Sequence, residues 1–158
     1  MEKKIIIGIC SYTGSDTKKL LNKIRVLISC NIYSTVSEPS LQDVFDTISK
    51  KSKKRINIID SICSVEEMVH TRNVFQNAIV EFLGIDVHYQ DRFAFLLKKR
   101  WIEKGMTPKE WHDKFKKEAY EQGVASCFER IPFESIFRYQ DNCLRENAGQ
   151  IADWIMRL

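Results

Sequence analysis

The residues best suited to chemistry stand near the start of the chain. Gly8-Ile9-Cys10-Ser11-Tyr12-Thr13-Gly14-Ser15-Asp16-Thr17-Lys18-Lys19 follows a short apolar run and precedes an amphipathic segment. A loop so placed can cradle a phosphate, because glycines let backbone amides turn inward and the next helix offers its positive end. The working pattern for such a loop is G-x-x-x-x-G-K-S/T, in which the lysine meets the β and γ phosphates and the hydroxyl holds magnesium. When Gly14-Ser15 is matched to the Gly-Ser that precedes Gly-Lys in these loops, Asp16 and Thr17 fall where glycine and lysine belong. Lys18 and Lys19 come next, already on the helix. A carboxylate in an anion cradle opposes phosphate by direct repulsion, more so in a dry pocket. Two readings stay open. In one, Gly8, Gly14, Ser15, Thr17, Lys18 and Lys19 form a nucleotide-binding loop in which Lys18 or Lys19 swings back to supply the missing charge. In the other, the segment is a plain strand-to-helix turn that Ser15 or Asp16 caps.

Asp60 is the second candidate, an acid at the end of the apolar run Arg55-Ile56-Asn57-Ile58-Ile59-Asp60. It could serve a site or only cap the next turn. No metal ligand set is expected, since His70, His88 and His112 are scattered, with no acid or cysteine at ligand spacing. No G-x-S-x-G nucleophile pattern occurs. Cys10, beside the loop, is the cysteine to test for reactivity. Trp101, Trp111, Phe115, Tyr120 and Phe128 read as core or as a seam between helices.

The elements that must position these residues alternate. Lys3 to Ile9 is apolar and β-branched, as a strand buried on both faces of a parallel sheet reads. Leu20, Leu21, Ile24, Leu27 and Ile28 make a helical stripe; Asn31 to Ser37 is a weak strand or loop. Leu41, Val44, Phe45 and Ile48 make a second stripe, introduced by Pro39-Ser40. Ser64-Val65-Glu66-Glu67 predicts a capping box and a helix to about Phe75. Ala78 to Leu83 predicts a third strand closed by Gly84, and Asp91 to Ile102 a helix that buries Phe93, Leu96, Leu97 and Trp101 and stops at Gly105. Thr107-Pro108-Lys109-Glu110 starts another helix. Ile136 to Tyr139 and Asn147 to Leu158 close the chain as strand and helix. This alternation predicts a three-layer α/β architecture with a central, mainly parallel sheet of four or five strands, Ile5 to Ile9 in its middle and helices on both faces.

With 158 residues and no linker rich in Gly, Pro and Ser, one domain over 1–158 is expected. The five cysteines are odd in number and contain no C-x-x-C pair, which argues against a disulfide framework. The apolar run after Lys4 is too short for a signal peptide or a bilayer span, so a cytoplasmic protein without membrane contact is expected. The one dense basic run, Lys50 to Arg55, has no interleaved aromatics and reads as a solvated turn rather than a nucleic-acid patch.

Ile58-Ile59-Asp60-Ser61-Ile62-Cys63-Ser64-Val65-Glu66-Glu67-Met68 resembles the segment "V-I-D-G-I-R-x-P-x-E-V" of P-loop nucleoside-monophosphate-kinase-like proteins. These include phage deoxynucleoside monophosphate kinases, dephospho-CoA kinases and the kinase-like domain of some deoxycytidylate deaminases. Arg92-Phe93-Ala94-Phe95-Leu96-Leu97-Lys98-Lys99-Arg100 is similar to their "R-F-x-x-L-x-x-R" helix, and a lid would follow within about 91–125. The closing strand, turn and helix are similar too, so the likeness spans nearly the whole chain through a succession of weak motifs. It implies a P-loop kinase-like fold, with ATP and magnesium as candidate ligands and a nucleotide or phosphorylated small molecule as partner. It implies catalytic roles for Asp60 near magnesium and the acceptor phosphate, and for Arg92 and Arg100 at the transferring group, both facing the loop's cleft. Read without the resemblance, the two arginines could equally be ordinary solvent-facing helix residues. Cys63 stands where the family has an arginine that grips the acceptor. Loop lysine and acceptor arginine are both missing, and phosphoryl transfer depends on such charges. The expectation is a degenerate kinase-like domain that binds its ligand with little or no transfer. The alternatives are an active kinase using Lys18 or Lys19, or an interaction scaffold with a protein partner.

Overall fold

The computed structural model describes residues 2–35, 40–102 and 104–158. Pro39, read above as introducing a helix, and the last two residues of the weak segment 31–37 lie outside them. Strands β1 (Ile5–Ser11), β2 (Cys30–Ser34), β3 (Ile56–Asp60), β4 (Ile79–Asp86) and β5 (Ile136–Arg138) form one sheet in the order β2-β3-β1-β4-β5. Every pairing is parallel. Among the described residues seven α-helices accompany it: α1 (Lys18–Leu27), α2 (Leu41–Lys51), α3 (Val65–Val74), α4 (Tyr89–Lys98), α5 (Pro108–Phe115), α6 (Ala119–Arg130) and α7 (Leu144–Met156).

β1 is central because every residue from Ile5 to Cys10 is buried. Ile5, Ile6, Ile7, Ile9 and Cys10 are fully buried, and period-two alternation divides them between two cores. Ile5, Ile7 and Ile9 pack with Leu20 and Ile24 of α1 and Ile151 and Ile155 of α7. Ile6 and Cys10 pack with Val44 and Ile48 of α2, Met68 of α3 and Cys127 of α6. A third cluster, Phe93, Leu96 and Trp111, holds α4 to α5. No helix among the described residues is long and apolar enough to cross a membrane.

Several local expectations change. β4 runs through Gly84 to Asp86, because these residues pair with β5; the glycine makes room for the Phe128 ring, where a Cβ would stand 2.7 Å from a ring carbon. Only half of the Ser64 capping box forms: Ser64 Oγ accepts from Glu67 N–H, while the Glu67 carboxylate reaches one residue further back, to Cys63 N–H. α4 ends at Lys98 and not near Gly105. Arg100 takes φ +59°, its N–H donates to Leu97 O, and Trp101 N–H donates to Leu96 O. That is a Schellman closure built on arginine in place of glycine. It turns Trp101 out of the core, leaving it 70% exposed, with Leu97 exposed as well. The basic run lies between α2 and β3, at the sheet end opposite the strand carboxyl ends. Its Lys54 ammonium donates to Cys30 O, and Arg55 pairs with Glu2.

Candidate functional site at the β1–α1 loop

In parallel α/β sheets ligands sit beyond the carboxyl ends of the strands, and the loop after β1 opens there onto a cavity of about 920 Å³. The loop is held in a defined shape. Ser15 N–H and Oγ–H both donate to Tyr12 O, at 3.2 and 2.6 Å. Gly14 has φ +82°, and a Cβ there would meet Arg92 O and Leu96 at 2.9 Å, so α4 presses directly on it. Asp16 also takes a left-handed φ, +46°. Thr17 is the N-cap residue of α1, but its side chain makes no cap hydrogen bond. Thr17 and Ser15 are buried, and Lys18 and Lys19 are exposed.

The structure brings most of the sequence candidates together. Gly14, Ser15, Thr17, Lys18 and Asp60 all line this cavity. Lys19 is not in its lining. Gly8 lies inside β1, between Ile59 of β3 and Phe82 of β4. A Cβ on Gly8 would stand 2.5 Å from the Phe82 ring, so its glycine character serves packing beneath the loop.

Asp60 ends β3, and Ser61 after it takes φ +72°, while Thr35 Oγ–H reaches the carbonyls of both. The buried Oδ1 of Asp60 has no hydrogen-bond partner among the described residues. Burial pushes this carboxyl up to about 6, and hydrogen bonds from Ser61 only partly counter it. Cys63 and Glu67 line the same wall. The Glu67 carboxylate accepts from Cys63 N–H at 2.9 Å and from its thiol at 3.5 Å. Burial and Glu67 together push the Cys63 thiol up to about 11. This wall accepts hydrogen bonds; it carries none of the positive charge an arginine at Cys63 would bring.

The Asp60 environment fixes a sign for pH dependence. Its folded pKa of about 6 lies above the 3.8 usual for an aspartate. The ionised form is therefore penalised by the fold, and the penalty is absent below the unfolded value and complete above the folded one. Asp60→Asn is expected to stabilise the protein at pH 7.5 by up to about 3 kcal/mol, the gain shrinking to roughly 0.5 kcal/mol near pH 4. Urea unfolding at the two pH values reads this directly; an equal effect at both would contradict it.

Arg92 and Arg100 part company. Arg92 is 5% exposed and does not line the cavity that Asp60 lines. Its Nη1–H donates to Thr13 O at 3.3 Å and to Glu121 Oε2 at 3.4 Å, and its Nε–H donates to Val87 O. Its guanidinium lies over the rings of Tyr12 and Trp111. Burial draws its pKa down, and Glu121 opposes the shift. Arg100 is exposed at the end of α4 and lines neither this cavity nor the next. A second cavity, about 660 Å³, opens on the Arg92 side, with Tyr12, Glu121, Lys116, Arg138 and Tyr139 in its walls.

Sequence reasoning missed Glu121. It is 4% exposed, on α6, and its Oε1 accepts from Thr13 N–H at 2.8 Å. Trp101 and Tyr120, read as core or seam, instead rim the loop's cavity. Burial pushes the Tyr120 hydroxyl well above its usual range, and Cys63 and Glu121 add to the rise. Cys10 is fully buried; its hydrogen bond to Cys127, together with burial, keeps its thiol protonated far above the usual range, which makes it unreactive. Among the described residues no three of His, Cys, Asp and Glu come together as a metal cage.

No protein-family model matches the chain, and no curated protein matches it by sequence. Solved structures do match it. A mouse sulfotransferase complexed with PAP superposes over 99% of the chain with TM-score 0.61 and 15% identity. The chain spans 59% of that protein's length. A shikimate kinase from Bacteroides thetaiotaomicron matches over 98% of this chain and 99% of its own, with TM-score 0.58 and 14% identity. An uncharacterised protein from Eubacterium ventriosum matches over 98% and 97%, with TM-score 0.50 and 17% identity. The chain has a P-loop kinase-like fold.

Proposed function

We propose that this domain binds a nucleotide or another phosphorylated small molecule at the β1–α1 loop and transfers its phosphoryl group at no useful rate. The observation that carries this reading is the charge of the cavity wall. Among the described residues its cations are Lys18 and Arg25, both on α1, against Asp16, Asp60 and Glu67. The uncapped start of α1 still offers backbone amides and a helix's positive end to an anion. Phosphoryl transfer needs more, because it depends on fixed positive charge around the transferring group. Thr17, where a lysine would stand, carries none, and Arg92, paired with Glu121 and Thr13 O, does not line this cavity. The fold likeness to a kinase and to a structure complexed with PAP supports a small-molecule ligand.

Magnesium fits one residue here. The unpartnered Oδ1 of Asp60 would meet an ion carried in on the ligand's phosphates, which is the usual way a protein holds magnesium. Bound there, the ion would neutralise phosphate charge. A second reading, an active phosphotransferase, is favoured by one observation: Lys18 lines the cavity and Lys19 does not.

Thermal shift with ATP, ADP and deoxynucleoside monophosphates, each with and without magnesium, tests the reading. A ligand at a hundred times its Kd adds about 2.7 kcal/mol, roughly 5–10 °C for a domain of this size. At least one such ligand is expected to do this. No shift with any of them at millimolar concentration would leave the scaffold alternative in its place.

A further inference from the structure

Glu121 occupies a position that a ligand's anion would otherwise take. Its carboxylate sits on the Thr13 amide at 2.8 Å and beside the Arg92 guanidinium at 3.4 Å, and both charged residues are at least nine-tenths buried. An amide of the loop and a buried arginine are the two kinds of group that bind phosphate best. Here one side chain of α6 answers both. The contact also ties α6 to the loop, which α6 otherwise meets through Phe128, stacked on Tyr12 with ring centroids 5.1 Å apart, and through the hydrogen bond between Cys127 and Cys10. The ion pair is long for one between charged groups, so a doubly charged phosphate would satisfy Arg92 better than this carboxylate does.

We propose that Glu121 is an internal stand-in for a ligand's anion, an autoinhibitory latch that a phosphorylated ligand displaces from Thr13 and Arg92, releasing α6 from the loop. The inference rests on the functional reading above, since Thr13 belongs to that loop and lines its cavity, and adds regulation from the neighbouring cavity that Arg92 and Glu121 line. The ligand's phosphate takes the Arg92 contact, the Glu121 carboxylate turns to solvent, and binding is thereby coupled to opening of α6. Such a coupling typically amounts to about 5- to 150-fold in affinity.

The test is a calorimetric titration of the full chain and of Glu121→Gln with pyrophosphate, with hydrogen exchange of α6 measured on the wild type with and without it. Glutamine keeps the shape and an acceptor for Thr13 N–H but removes the competing charge. Pyrophosphate is expected to bind Glu121→Gln roughly tenfold or more tightly. In the wild type it is expected to lower the protection of amides in Ala119–Arg130. Equal affinity for the two proteins, or greater protection of α6 on binding, would overturn the latch while leaving the binding site in place. If Glu121→Gln does not fold, the wild-type exchange result decides alone. Binding to neither protein would defeat the latch and the functional reading together.

Discussion

Replacing Arg92 with methionine is expected to cost about 3–5 kcal/mol of unfolding stability, the usual price of removing one member of a buried ion pair. Glu121 would be left buried with its charge uncompensated, and Thr13 O and Val87 O would each lose a donor. For a domain of this size the loss corresponds to a fall in Tm of roughly 6–20 °C. The double variant Arg92→Met with Glu121→Leu is expected to recover most of it, since apolar replacements of buried pairs are often neutral. Urea unfolding of the two single variants and the double gives the coupling energy. A loss under about 1 kcal/mol in Arg92→Met would mean that Arg92 is an ordinary helix arginine, despite its burial.

The second large effect concerns the loop. Asp16→Gly with Thr17→Lys is expected to raise affinity for ATP by about ten- to a hundredfold, as gaining one charge-assisted contact of about 1.5–3 kcal/mol would. The backbone is ready for it. Asp16 already holds φ +46°, a conformation glycine adopts more easily than aspartate. Thr17 makes no cap hydrogen bond, so lysine there sacrifices none. The pair of changes alters the charge facing a phosphate by two units, one carboxylate removed and one ammonium added. Calorimetry on the folded variant measures it. Unchanged affinity would show that the loop's shape, and not its charge, keeps ATP away.

What was legible in the sequence follows from how local each cause is. β1 could be read because every residue from Ile5 to Cys10 is buried, and only a strand covered on both faces asks for such a run. The helix from Thr107 could be read because cap, proline and glutamate lie within four residues, and both capping-box bonds form. The end of α4 was misread because an arginine took the left-handed position that glycine usually marks, moving Trp101 from core to cavity rim. α6 starts at Glu118 without any side-chain cap bond, so no start signal existed. Glu121 was illegible for the same kind of reason. Its partners lie 108 and 29 residues away in sequence, and no local pattern encodes such contacts. Asp60 could be placed as the acid at the end of β3, but that its Oδ1 would lack a partner depends on the packing around it.

The most direct measurement is a ³¹P NMR spectrum of ATP with magnesium and a stoichiometric amount of the protein, with a deoxynucleoside monophosphate added, followed over hours. The account predicts that the β- and γ-phosphate resonances broaden or move, because the phosphates meet the β1–α1 loop, and that no ADP resonance grows in. Sharp, unmoved resonances would contradict the binding claim. Steady conversion to ADP that is lost in Lys18→Ala would contradict the claim of lost transfer and establish an active phosphotransferase built on Lys18.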